Sequence, residues 1–399
     1  MKFKRIHLLL SGLAVAFCLI GCGEKALVDN LSEIRADATR GDVTAQLRLA
    51  DAYLRGVDGM PQDTAEAVGW YKLAAAQENA EAQLTLGVLY MMGDGVEVDP
   101  ERGMELIHQA ASQGYARAQF MMGTLCERMG QGPRYAEAFD WYLKAAKQGN
   151  ADAQYALGMM YTEGRGVSAD YTRATEWFRL SAQQGNLDSI LCMVTACYQG
   201  IGMDRNVAES VEWLRRAAEL GHLPSIRNLA SAYINGVGVD VDYTEALKWY
   251  RVGADMGDTE SIVELGAFYY AGVGGSVDYA RAITYFRQAA ELGDSGAMVA
   301  LGMAYYEGNG VEKSYDESAK LYRLAAEKGH PRGQGMLSLA YFSGDGVPQD
   351  DVQSFVWASL ALSQGESKVQ GIIDVVSERI AADQISEARE LIAQYKRVD

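Results

Sequence analysis

The chain offers few side chains able to do chemistry, and their spacing decides how they read. Its 5 cysteines stand at positions 18, 22, 126, 192 and 197, and its 4 histidines at 7, 108, 222 and 330. Nucleophilic catalysis needs a thiol or hydroxyl beside a base, and a metal site needs converging ligands. Cys192 and Cys197 lie five residues apart on what reads as one helix, a poor spacing for a disulfide. Cys126 and Cys197 recur in a column held elsewhere by tyrosine, so they read as small buried hydrophobes. His108, His222 and His330 are far apart, and the last two take positions held elsewhere by Asn or Asp, which suits helix capping. No H-E-x-x-H, C-x-x-C, P-loop, G-x-S-x-G or S-x-x-K occurs. Triplets such as Gly164-Arg165-Gly166 recur between helices as turn glycines and not as phosphate cradles, and the pair Asp350-Asp351 reads as solvated caps. The sequence therefore predicts no catalytic residue, no metal ligand and no cofactor.

What must position these residues is a repeat. Segments Asn150–Gly185, Asn186–Gly221, His222–Gly257, Asp258–Gly293, Asp294–Gly329 and His330–Gly365 are each 36 residues long without a gap. Before them stand Asp42–Glu78, Asn79–Gly114 and Tyr115–Gly149, whose length changes fall in a glycine-rich loop. In His222–Gly257, Ser225, Leu229, Ala230 and Tyr233 form one face of a first helix. Asn235-Gly236-Val237-Gly238 breaks it, Asp242 can cap a second helix, and Ala246, Trp249, Tyr250, Gly253 and Ala254 form its buried stripe.

The columns extend this logic. All six tryptophans, at 70, 141, 177, 213, 249 and 357, share one position. A small residue recurs on the first helix, as Gly87, Gly123, Gly158, Gly266 and Gly302, and tyrosine follows three residues later in most copies. Prolines 61, 100, 133 and 348 are expected in loops, and 224 and 331 in the first turn of a first helix. The fold predicted is all-α: an α-solenoid, or superhelix, of about nine antiparallel helix pairs over residues 42–365. Residues 22–41 supply a linker and a capping helix, and 366–399 two more capping helices that cover the last repeat.

Residues 1–21 read as a targeting segment. Lys2, Lys4 and Arg5 precede an apolar stretch from Ile6 to Ile20, short for a membrane span. Leu19-Ile20-Gly21-Cys22 resembles the bacterial lipobox, which implies lipidation of Cys22, and Gly23 after it favours the outer membrane, facing the periplasm. Net charge is −17, which does not suit nucleic acid and repels anionic headgroups, so the membrane would be met through the lipid.

The pattern carried by Ala153, Leu157, Gly158, Tyr161, Gly164, Gly166 and Val167, then Ala174, Trp177, Phe178, Ala182 and Gly185, resembles the Sel-1-like repeat family, kin of tetratricopeptide arrays. The resemblance implies a non-catalytic scaffold for protein partners in the bacterial cell envelope. The alternatives it leaves are a glycan- or peptidoglycan-binding protein of exopolysaccharide export and a hydrolase of the β-lactamase type. The cysteine-rich branch linked to the latter carries paired cysteines that this chain lacks. By analogy with tetratricopeptide arrays the first helices should line the concave side. There the residue after the core tyrosine reads Tyr198, Ile234, Tyr270, Tyr306 and Phe342, with Met303 one turn earlier. This row is the expected site for a protein partner, or for a glycan, since aromatic rings and methionine suit both adaptable and stacked contacts. Packing against the neighbouring helix is the other reading of the same row.

Overall fold

The computed structural model describes residues 31–57, 60–129 and 133–395, and the statements below concern those. The lipobox with Cys22 lies outside them, as do Lys396 and Arg397, whose charges suit the C-terminal end of a helix dipole. The first helices of the nine repeats are α2 (Val43–Arg55), α4 (Ala80–Met92), α6 (Ala116–Arg128), α8 (Ala151–Glu163), α10 (Leu187–Gln199), α12 (Leu223–Asn235), α14 (Thr259–Ala271), α16 (Ser295–Glu307) and α18 (Pro331–Ser343). Their partners are α3 (Thr64–Ala76), α5 (Pro100–Ser112), α7 (Pro133–Lys147), α9 (Tyr171–Gln183), α11 (Val207–Glu219), α13 (Tyr243–Asp255), α15 (Tyr279–Glu291), α17 (Tyr315–Glu327) and α19 (Asp351–Ser363). Helix α1 (Leu31–Thr39) precedes them; a short 3₁₀ turn (Ser367–Val369), α20 (Gln370–Arg379) and α21 (Ala382–Tyr395) follow. Every described element is helical, and the architecture is an α-solenoid.

Local chemistry explains why each helix starts and stops where it does. Asp42, Asn79, Asn150, Asn186, Asp258 and Asp294 each accept a hydrogen bond from the backbone N–H three residues on, satisfying a donor the helix leaves open. His330 does the same with Nδ1, from the Gly333 N–H at 3.2 Å. His222 makes no such cap; its Nδ1 lies 2.8 Å from Ser225 Oγ. First helices other than α6, which ends on Met129, end on a left-handed glycine: Gly236, at φ 67°, donates its N–H to the Ala232 carbonyl. Pro224 and Pro331 lie in the first turn, as expected. Pro100 and Pro133 differ from expectation. They open α5 and α7 as first helical residues, because a position without a backbone acceptor tolerates a missing N–H.

The second glycine of each turn is held for another reason. A β-carbon on Gly238 would stand 2.6 Å from the Val207 carbonyl oxygen, and one on Gly166 2.3 Å from that of Tyr135. The turns of repeat 2 and repeats 4 to 9 thus lie directly on the start of the preceding repeat's second helix, at a distance only hydrogen allows.

Core packing reorders the sequence columns. Trp213, Trp249 and Trp357 are buried, but Trp70, Trp141 and Trp177 are only half-buried. The residue after Trp70, Trp141, Trp177 and Trp249 goes deeper: Tyr71, Tyr142, Phe178 and Tyr250 are all buried. These rings press on the small column, so a β-carbon on Gly158 would meet the Phe178 ring at 2.4 Å and one on Gly123 the Tyr142 ring at 2.5 Å. Cys126 and Cys197 are buried and outside any disulfide, Cys192 is half-buried, and burial pushes the Cys126 and Cys192 thiols up to about 11.

A polar ladder also crosses the interior. Gln46, Gln83, Gln119, Gln154 and Gln334 are buried, and each donates from Nε2 to the carbonyl eight residues earlier. Each accepts at Oε1 from a second glutamine just past the second helix: Gln77, Gln113, Gln148, Gln184 and Gln364, at 2.7–3.0 Å. In repeats 5 to 8 the buried position is Ile190, Ile226, Ile262 or Met298 instead. Gln119→Ile is expected to cost about 1–2 kcal/mol, since one hydrogen-bonding partner is removed from a pair. Adding Gln148→Leu should restore part of that loss, because apolar pairs such as Ile262 with Leu292 fill the same two positions elsewhere. Urea midpoints of the single and double variants decide it.

The helices divide into two compact units, residues 1–206 and 207–399. Within the first, α4 touches α6; within the second, α16 touches α18. In each unit, first helices of successive repeats thus meet side by side at these pairs.

Candidate partner-binding surface

The predicted row sits at the ends of first helices, and the structure shows what each member touches. Tyr198, in the first unit, is 47% exposed, with the Arg205 guanidinium 5.5 Å from its ring centre. In the second unit Ile234, Tyr270, Tyr306, Phe342 and Met303 are all half-buried. The Tyr270 ring lies 5.0 Å from that of Tyr279, the first residue of its own repeat's second helix, and Tyr306 stands likewise against Tyr315. Their hydroxyls reach the next repeat. Tyr270 donates to Glu307 Oε2 and accepts from Asn309 Nδ2, both at 2.9 Å, and Tyr306 donates to Asp345 Oδ2 at 3.2 Å. Burial and these carboxylates raise both phenol pKa values. Met303 Sδ has Arg332 Nη2 at 3.2 Å, and the Arg379 guanidinium stands 5.1 Å from the Phe342 ring.

Asn309 and Asp345 are the middle residues of their Gly-x-Gly turns. In the first unit the same column holds Glu127, which accepts from Arg165, the middle residue of Gly164-Arg165-Gly166, at 2.5 Å. So this column ties α6, α14 and α16 to the turn of the following repeat, and the Tyr270 and Tyr306 rings stay half-buried. The row does both jobs: packing and surface.

Sequence reasoning missed the other half of the face. Two turns before the row, seven residues upstream, stand Phe120, Tyr155 and Leu191 in the first unit, all half-buried. Phe120 and Tyr155 lean on the deep rings of Tyr142 and Phe178, at 5.7 and 5.9 Å. Val88 and Met159 lie between these positions and the row, also half-buried. In the second unit Val263 takes the corresponding position, and it joins Met303, which was predicted, and Leu339, which is 37% exposed. The signal was available, since an apolar residue seven positions before another falls on the same helix face. Among the described residues, no three His, Cys, Asp or Glu side chains are placed to hold a metal ion. The face presents apolar and aromatic side chains with single polar groups between them, an arrangement that binds by contact area.

Capped helix pairs of constant length, joined by turns that rest on the preceding pair, define a helical-repeat scaffold. The chain belongs to the Sel1 repeat family: the Sel1 repeat model matches residues 43–79, 80–115, 116–150, 151–186, 191–222, 223–258, 259–294, 295–330 and 331–366. Such repeats generally mediate protein–protein contacts. The fold resembles the crystal structure of a protective antigen present in uropathogenic Escherichia coli strains, which has an SLR fold. Identity is 29% and TM-score 0.56, covering 92% of this chain and 87% of that one. A chitin synthase regulatory factor (factor 3) of Schizosaccharomyces pombe is 34% identical over 128 residues, 31% of this chain and 14% of that protein. The alginate biosynthesis protein AlgK of Azotobacter vinelandii is 36% identical over 90 residues, 22% of this chain and 19% of that protein. The likeness to these two relatives therefore covers a small part of their length.

Proposed function

We propose that the chain is a non-catalytic adaptor of the bacterial cell envelope, anchored by lipid at Cys22, whose first-helix faces hold a protein partner. The observation that carries this reading is the half-exposed apolar lining of those faces, from Val88 to Leu191 in the first unit and from Ile234 to Leu339 in the second. Methionine and aromatic side chains supply large contact area and adapt to a partner's shape. The regulatory names of relatives built on the same repeat fit a scaffold. Similarity to AlgK favours a second reading, in which the partner belongs to machinery that exports an exopolysaccharide.

Site-specific photocrosslinking in intact cells tests both. A benzophenone side chain at Met159 or Leu339 is expected to capture one and the same protein, and one at the second-helix position Leu180 is not. Capture from Leu180 alone, or from none of these positions, would sink the assignment. In the same cells Cys22→Ala should shift the protein from the membrane to the soluble fraction; retention at the membrane would remove the lipid from the proposal.

A further inference from the structure

The strongest unassigned feature is an apolar row along one edge of the second unit. Leu220, Met256 and Leu292 follow the last residue of α11, α13 and α15, and are 55%, 49% and 58% exposed. Between repeats 5 and 6 the row closes up, since a β-carbon on Gly221 would lie 3.3 Å from Met256 Cε. In repeats 1 to 4 and 9 the same position is a glutamine, tied to its buried partner. The second unit thus exposes hydrophobic side chains where the rest of the array closes its edge with amides.

Charge follows the same boundary. Helices α11, α13, α15 and α17 all end on an exposed carboxylate: Glu219, Asp255, Glu291 and Glu327. The other second helices end on Ala76, Ser112, Lys147, Gln183 and Ser363. An acidic group at a helix C-terminus stands against the negative end of the dipole, so the four cost stability where they are. A basic residue one turn earlier could neutralise each of them. Arg215, Arg251, Arg287 and Arg323 occupy those positions, but they donate instead to the hydroxyls of Tyr233, Tyr269, Tyr305 and Tyr341, at 2.7, 2.6, 3.4 and 2.8 Å. Among the described residues none of the four carboxylates has an ion-pair partner within 4 Å. Lys328 takes the apolar position in repeat 8 and closes the row.

We infer that Leu220, Met256 and Leu292 dock a cationic amphipathic helix of a partner protein, with Glu219, Asp255 and Glu291 pairing its lysines and arginines. The apolar row supplies contact, and the carboxylates with the helix C-termini select positive charge. A second copy of this chain would bring like charges together, and an anionic membrane would be repelled in the same way. The site is separate from the first-helix faces and does not depend on them.

The test uses the full chain and a short fluorescent synthetic helix of lysine and leucine, with leucine confined to one face. Anisotropy should show saturable binding that weakens as salt rises. The triple variant Glu219→Gln/Asp255→Asn/Glu291→Gln and the double variant Leu220→Ser/Leu292→Ser should each bind about tenfold more weakly. The triple variant should melt at the same or a higher temperature, which separates lost binding from unfolding. Undiminished affinity in the triple variant would overturn the inference, as would equal binding of a peptide with glutamate in place of lysine. Self-association through the row, or binding to neutral phosphatidylcholine vesicles that the Leu220→Ser/Leu292→Ser change abolishes, would assign the row another occupant. Met303→Ser should leave peptide affinity unchanged; a loss there would place the peptide on the first-helix face and overturn the edge site while sparing the proposed function.

Discussion

Gly346→Ala is expected to cost about 2–5 kcal/mol, although it adds one methyl group to a surface turn. Two effects act together: left-handed backbone costs a β-carbon-bearing residue about 1–2 kcal/mol, and forced overlap costs about 1–3 kcal/mol more. Gly346 has φ 72°, and its β-carbon would fall 2.0 Å from the Tyr315 carbonyl oxygen. That oxygen belongs to backbone at the start of α17 and has no flexible end to move aside. Gly257 is the control. Its φ is 81°, yet nothing lies within 4 Å of the added carbon. Gly257→Ala should therefore cost only the conformational part, about 1–2 kcal/mol. Urea denaturation of the two variants separates contact from conformation; equal losses would show that the turn does not bear on the preceding helix.

Phe178→Ala is expected to cost about 3–5 kcal/mol through the cavity it leaves. The ring is buried against Gly158, whose missing side chain makes room for it, and no small rearrangement can refill that space. Trp177, the adjacent and larger residue, is half-buried, so Trp177→Ala should cost less than Phe178→Ala. A larger loss at Trp177, read from the same urea midpoints, would restore the tryptophan column to the centre of the core.

That contrast shows what the sequence can and cannot convey. Helix pairs, caps and turns were legible because the Asp, Asn and Gly positions answer to backbone requirements that each copy repeats. The tryptophan column stood out because the residue is rare, but rarity is not depth; the ring beside it points more directly at the glycine of the first helix. The glutamine ladder escaped notice because a lone glutamine reads as surface. Only the pairing of Gln119 with Gln148, 29 residues apart, lets it be buried. The row from Tyr198 to Phe342 was legible as a row. Its ties to Asn309 and Asp345 were not, because they depend on how each turn comes to rest beside the preceding first helix.

The resting turn has a consequence for how such a chain changes over generations. Gly95, Gly166, Gly202, Gly238, Gly310 and Gly346 each press chiefly on backbone at the start of the preceding second helix, where the side chain is variously Thr64, Tyr135, Tyr171, Val207, Tyr279 or Tyr315. At these six joints the contact does not depend on which side chain stands there, whereas Gly274 meets the Tyr243 side chain itself. Gln83 and Gln113 lie within one copy, so the amide pair travels with it when the copy is duplicated. An in-frame duplication or deletion of 36 residues therefore re-forms both the joint and the ladder without compensating substitutions. Array length can drift freely, whereas the acidic, apolar edge of repeats 5 to 8 survives only if those copies stay adjacent.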